Sequence, residues 1–118
     1  MTAQSSPKKP SRRPSRPLDG KQKRHLRGLA HSLDPVVQIG KDGIDSGVIE
    51  AVREALRAHE LIKVRVLESA PANKEEIGEG LAEEAGAYVA GKIGRIVILY
   101  RMHEEKPKIV LPKVARDG

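Results

Sequence analysis

The sequence predicts an α/β fold: an α+β two-layer sandwich of order αβαβαββ on a four-stranded mixed sheet. Three observations carry that expectation. Helical apolar periodicity appears in three separate stretches, strand-like alternation in the segments between them, and Gly or Pro punctuates nearly every junction.

The elements follow in chain order. Residues 1–17, "MTAQSSPKKPSRRPSRP", are Pro, Ser and basic residues with almost nothing apolar to bury, so they read as a disordered basic arm. The domain is expected over 18–112, with a charged tail at 113–118. Asp19 is placed to cap a first helix running to about His31. At 100° per residue, Leu26, Leu29, Ala30 and Leu33 share a packing face, and Lys23, Arg24, Arg27 and His31 form a cationic stripe beside it. Pro35 stops the helix, and "PVVQIG" (35–40) reads as a short buried strand. A second helix, about 45–59, turns Val48, Ile49, Val52, Ala55 and Leu56 to one side, with His59 expected among them as a packed residue.

"LIKVRVLE" (61–68) alternates, with Ile62, Val64 and Val66 against Lys63 and Arg65. A third helix, about 73–85, has Asn73 as its cap and Glu76 at the capping-box position. Its few apolar residues predict a peripheral place. Gly86 ends it. "AYVAGKI" and "RIVILYR" read as two strands around a tight turn. "IVL" (109–111) is expected to dock on an edge.

Charge and composition narrow the function. The net charge is +6, and five bases with no acid stand in the first 17 residues. The remaining 17 bases nearly balance 16 acids, but they segregate. Bases crowd 19–41, and Glu75, Glu76, Glu79, Glu83 and Glu84 crowd 74–84. A basic region plus a basic arm points to a polyanionic partner. The chain has no cysteine, so no disulfide or thiolate site is available. No apolar signal stretch opens it, and its longest apolar run, "IVILY" (96–100), is far too short for a membrane helix. A cytoplasmic protein with no membrane partner is the expectation.

Two Gly-x-x-Gly words occur, GKDG (40–43) and GKIG (91–94). Glycine lets backbone pass close to a phosphate, and a following helix aims N–H groups at the anion. GKDG, between a strand and a helix, has both features, and Lys41 adds a countercharge. GKIG lies between strands and reads as a hairpin turn. Substitution is expected to cost little folding energy at either Gly43 or Gly94. Gly86 to Lys92 imitates a nucleotide P-loop, but Ile93 stands where Ser or Thr would hold magnesium, so nucleotide binding is rejected. The four histidines lack metal-ligand spacing, and no nucleophile motif is present. No enzyme activity, metal, cofactor or small-molecule substrate is expected. With only Tyr88 and Tyr100 as aromatics, a base-stacking sheet is not expected, so RNA would be gripped by backbone and shape.

"KQKRHLRGLAH", "IGKDGI", "HELIKV" and "LYR", within residues 18–112, together resemble the CRM domain, the chloroplast RNA splicing and ribosome maturation family, in its bacterial single-domain YhbY-like branch. The resemblance implies a fold like the C-terminal domain of translation initiation factor three and a Gly-x-x-Gly loop likened to that of KH domains. It also implies association with precursors of the large ribosomal subunit, and plant relatives use such domains in group II intron splicing. The RNA-binding residues then expected are Gly40, Lys41, Asp42 and Gly43 of the loop, with Lys21, Lys23, Arg24, Arg27, His31, Lys63 and Arg65. Lys92, Arg95 and Arg101 are weaker candidates. The alternative reading is a protein–protein adaptor docking through the acidic third helix.

Overall fold

The computed structural model describes residues 18–103 and 105–112. The basic arm at 1–17 and the tail at 113–118 lie outside the described residues. Three helices, α1 (Gly20–Ala30), α2 (Ser46–His59) and α3 (Lys74–Ala85), alternate with strands β1 (Pro35–Ile39), β2 (Leu61–Val66), β3 (Tyr88–Ile93) and β4 (Ile96–Tyr100).

Local chemistry sets the ends of the helices. The Asp19 carboxylate accepts the Gln22 N–H at 2.8 Å, while the Gln22 side chain accepts the Asp19 N–H at 3.2 Å, so the capping box forms at α1. Asp45 caps α2 through the Val48 N–H, and Asn73 caps α3 through the Glu76 N–H. Gly86, at φ 70°, closes α3 in the left-handed conformation that glycine adopts without a Cβ penalty.

The sheet is mixed, in the order β1-β2-β4-β3. β1 runs parallel to β2 through the α2 crossover, and β4 pairs antiparallel with both β2 and β3. β1 is an edge strand of which only Ile39 is buried, not the buried strand expected. A strand with one pairing partner leaves most of its side chains near solvent.

The layering also departs from the two-layer expectation. Ile62, Val64, Val66, Val97 and Leu99 pack under α2 and α3. The alternate residues Leu61, Ile98 and Tyr100 pack with Leu26 and Ala30 of α1 on the opposite face. Strand alternation sends neighbouring side chains to opposite faces, and both sets in the central strands are apolar, so the sheet needs cover on both. Ile109 and Leu111 complete the second core rather than joining a strand edge.

Helix α3 is not peripheral. Ile77, Gly78, Leu81, Ala82 and Ala85 are all buried. Small residues bring its backbone close to the sheet: a Cβ on Gly78 would lie 3.0 Å from Val97 Cγ1. The apolar side chains are few because the helix sits close, not because it sits outside.

Candidate nucleic-acid interface

The cations of α1 divide by their angle to the buried row Gln22, Leu26 and Ala30. Lys23 and Arg27 are half-buried beside that row; Lys21, Arg24 and His31 point outward. Leu29 and Leu33 do not join the packing face. They remain 42% and 37% exposed and line an apolar groove with Val36, His59 and Ile109. His59 is therefore exposed at a groove rim, not packed in the core. Of the predicted apolar side of α1, only Leu26 and Ala30, in the row with Gln22, are covered.

On β2, Lys63 and Arg65 stand in register with Ile98 and Ile96, which belong to the α1 side of the sheet. Both cations thus emerge on the face shared with α1. Lys63 Nζ reaches the His31 carbonyl at 3.5 Å, joining the helix stripe to the strand. Arg65 is paired with Gln38 of β1, and GKDG begins two residues further on. The path from Lys63 through Arg65 therefore leads toward the end of the sheet where that loop leaves β1.

In the loop, the Gly43 N–H donates to the Gly40 carbonyl at 3.0 Å and closes a turn. Lys41 and Asp42 at its tip are exposed, while Gly40 is half-buried and Gly43 buried. Gly43 has φ 66°, and a Cβ there would come within 2.9 Å of Pro71 Cγ. The loop is thus braced from behind, and substitution at Gly43 is costlier than expected. The start of α2 is already partly answered: Asp45 takes the Val48 N–H at 2.8 Å, so an anion at this end would meet a carboxylate beside the remaining donors.

The weaker candidates scatter. Arg95 lies near the same end of the sheet, its carbonyl accepting from Val66 N–H, but its guanidinium pairs with Glu68 at 2.8 Å. Lys92 is in register with Val97 and so belongs to the face of α2 and α3. Arg101 follows β4, and its Nη1 donates to the Ala85 carbonyl at 3.2 Å, at the C-terminal end of α3. Among the described residues, no group of three or more His, Asp or Glu side chains could hold a metal ion. No helix among them is long and apolar enough to cross a membrane.

A family model for the CRS1 / YhbY (CRM) domain matches residues 18–101. The chain belongs to the CRM domain family. It is 41% identical over 95 residues to the "Probable RNA-binding protein YqeI" of Bacillus subtilis, covering 80% of this chain and 99% of that protein. It is 44% identical over 96 residues to a Haemophilus influenzae protein named "RNA-binding protein", covering 81% and 96%. The solution structure of the hypothetical protein SAV1595 from Staphylococcus aureus superposes with a TM-score of 0.70 at 43% identity, covering 80% of this chain and 99% of that one.

One organising residue of this CRM domain escaped the sequence reading. Glu60 follows α2 at φ 65°, a region that residues other than glycine rarely occupy, and its side chain is buried. Its carboxylate accepts the His103 N–H at 2.7 Å, the Lys108 N–H at 2.9 Å and the Ile109 N–H at 2.8 Å. Those bonds hold the segment after β4 against the second core. Tyr100 lies in the same core, and burial, followed by the Glu60 charge, pushes its phenol up to about 12. The one available signal was a Glu directly before an alternating strand, too common to single out.

Proposed function

We propose that this CRM domain protein is a non-enzymatic RNA-binding protein, acting in the cytoplasm on precursors of the large ribosomal subunit and gripping rRNA by its backbone. The fold likeness to the C-terminal domain of translation initiation factor three forms part of the same reading. One observation carries it: cations from two separate elements, α1 and β2, emerge on one face of the sheet and lead toward the GKDG loop. Lys21, Lys23, Arg24, Arg27, His31, Lys63, Arg65 and Lys41 would meet phosphates, with Gly40, Asp42 and Gly43 shaping the loop. The names of the bacterial relatives support RNA as the polyanion. The scarcity of aromatics favours contacts that follow backbone and shape over stacked bases.

The test has two arms. If about four to six phosphates are neutralised, the log–log slope of affinity against salt is about −3 to −5. A slope near zero would remove the electrostatic basis. Crosslinking in cells, with both RNA and peptides mapped, is expected to recover large-subunit rRNA precursor on peptides from α1, β2 and the GKDG loop. Crosslinks spread over unrelated messages would replace the ribosomal role with general RNA binding.

A further inference from the structure

Gly91, the first glycine of GKIG, lies within strand β3, not in the hairpin turn. Its φ is not in the left-handed region, so the backbone does not demand glycine there. What demands it is a neighbour. A Cβ at Gly91 would lie 2.5 Å from Cδ and 2.8 Å from Cγ of Arg27. Those atoms are the middle of the side chain, held between the helix backbone and the guanidinium, so they cannot step aside as a free tip would. The β3–β4 register shifts between Val89 and Gly91, and at that irregularity the Ala90 carbonyl accepts from Arg27 Nη1 at 3.4 Å.

We infer that Gly91 and the Ala90 carbonyl form a seat that positions Arg27 for contact with an RNA phosphate. The inference rests on the RNA-binding reading above. The missing side chain lets the methylenes of Arg27 lie on the strand. The carbonyl takes one guanidinium N–H, and the side chain stays half-buried rather than covered. An arginine fixed in this way loses less rotamer freedom when it binds than one on an open helix surface. Gly91 is a positioning residue: it touches Arg27, not the RNA.

The experiment is a double-mutant cycle with Gly91→Ala and Arg27→Ala, with Arg27→Gln as the variant that removes only the charge, read by affinity for a hairpin RNA transcribed from a large-subunit rRNA precursor. The φ at Gly91 suits alanine, so the cost expected of Gly91→Ala is that of displacing the Arg27 methylenes, and affinities are compared at a temperature where thermal melting shows both proteins folded. Its affinity is expected to fall about threefold to tenfold, the net scale of one ordinary hydrogen bond, because the arginine is loosened and not removed. Arg27→Gln is expected to weaken binding at least as much and to flatten the salt slope by ~0.7–0.9. In the Arg27→Ala background, which removes the Cγ and Cδ that the new Cβ would strike, Gly91→Ala is expected to change nothing further.

A second readout uses the free protein. The Arg27 Nε–Hε resonance is expected to be shifted from random-coil values in the parent and to collapse toward them in Gly91→Ala. Equal losses from Gly91→Ala in both backgrounds would mean that it acts through the strand, and the seat is overturned. An unmoved Nε–Hε signal overturns it without any RNA present. If Arg27→Gln weakens binding but Gly91→Ala does not, the seat fails and the RNA face stands. If Arg27→Gln leaves binding unchanged, the RNA face is wrong at this residue and the positioning role falls with it.

Discussion

GKDG and GKIG share three letters of four, and each ends on a glycine with positive φ, 66° at Gly43 and 59° at Gly94. Their surroundings differ in every respect that matters. Gly43 is buried against Pro71, with its N–H bonded to Gly40. Behind it the chain enters α2 through Asp45. Gly94 faces open space in the turn between β3 and β4. The first glycine of each word differs as well: Gly40 closes a turn, whereas Gly91 makes room for Arg27. A four-residue word therefore specifies where the backbone can bend, and the neighbours decide what the bend is for.

The largest expected difference is in stability. Gly43→Ala combines a left-handed residue with a contact under 3 Å to the Pro71 ring. It is expected to cost about 2–4 kcal/mol. Gly94→Ala meets only the backbone term, about 1–2 kcal/mol. Thermal or denaturant unfolding of the two variants measures the gap, and equal costs would show that Pro71 gives way.

Next comes charge at the two lysines. Lys41→Glu is expected to weaken RNA binding about tenfold or more, and Lys92→Glu less than about threefold. Both side chains are exposed, so folding is expected to be nearly unaffected. Affinities measured at one salt concentration decide this, and a reversed order would move the phosphate contact to the other loop.

The smallest effect sharpens the role of the helix that follows GKDG. Asp45→Asn keeps a capping oxygen for the Val48 N–H but removes the carboxylate charge. RNA affinity is expected to rise about twofold to threefold, because the anion no longer meets a negative neighbour at the start of α2. A fall in affinity with the fold intact would indicate that Asp45 contacts the RNA itself.

Much of the fold was legible because its signals are local. Asp19 and Asn73 cap the helices that their positions announced, and Gly86 ends the third, since a cap reaches only three residues along the chain. The alternation of "LIKVRVLE" correctly separated Ile62, Val64 and Val66 from Lys63 and Arg65, because pleating is a property of the strand alone. The cationic side of α1 was equally readable, as it follows from helical periodicity.

Tertiary structure decided what depends on partners far away in the chain. Periodicity could not say that α1 lies opposite α2 and α3, because an apolar stripe fits either face of a sheet. Nor could it show that α3, poor in large side chains, is buried through close approach at Gly78, or that His59 is left at a groove rim. Glu60 gathers three N–H groups from more than 40 residues downstream. Arg27 meets Ala90 across 63 positions. Contacts within a few residues fix the elements, the Asp19 and Asn73 caps and the side of each element that carries charge, so these could be read along the chain. Which cations share a surface, and why Gly91 is a glycine, was settled only when packing brought distant segments within ångströms of each other.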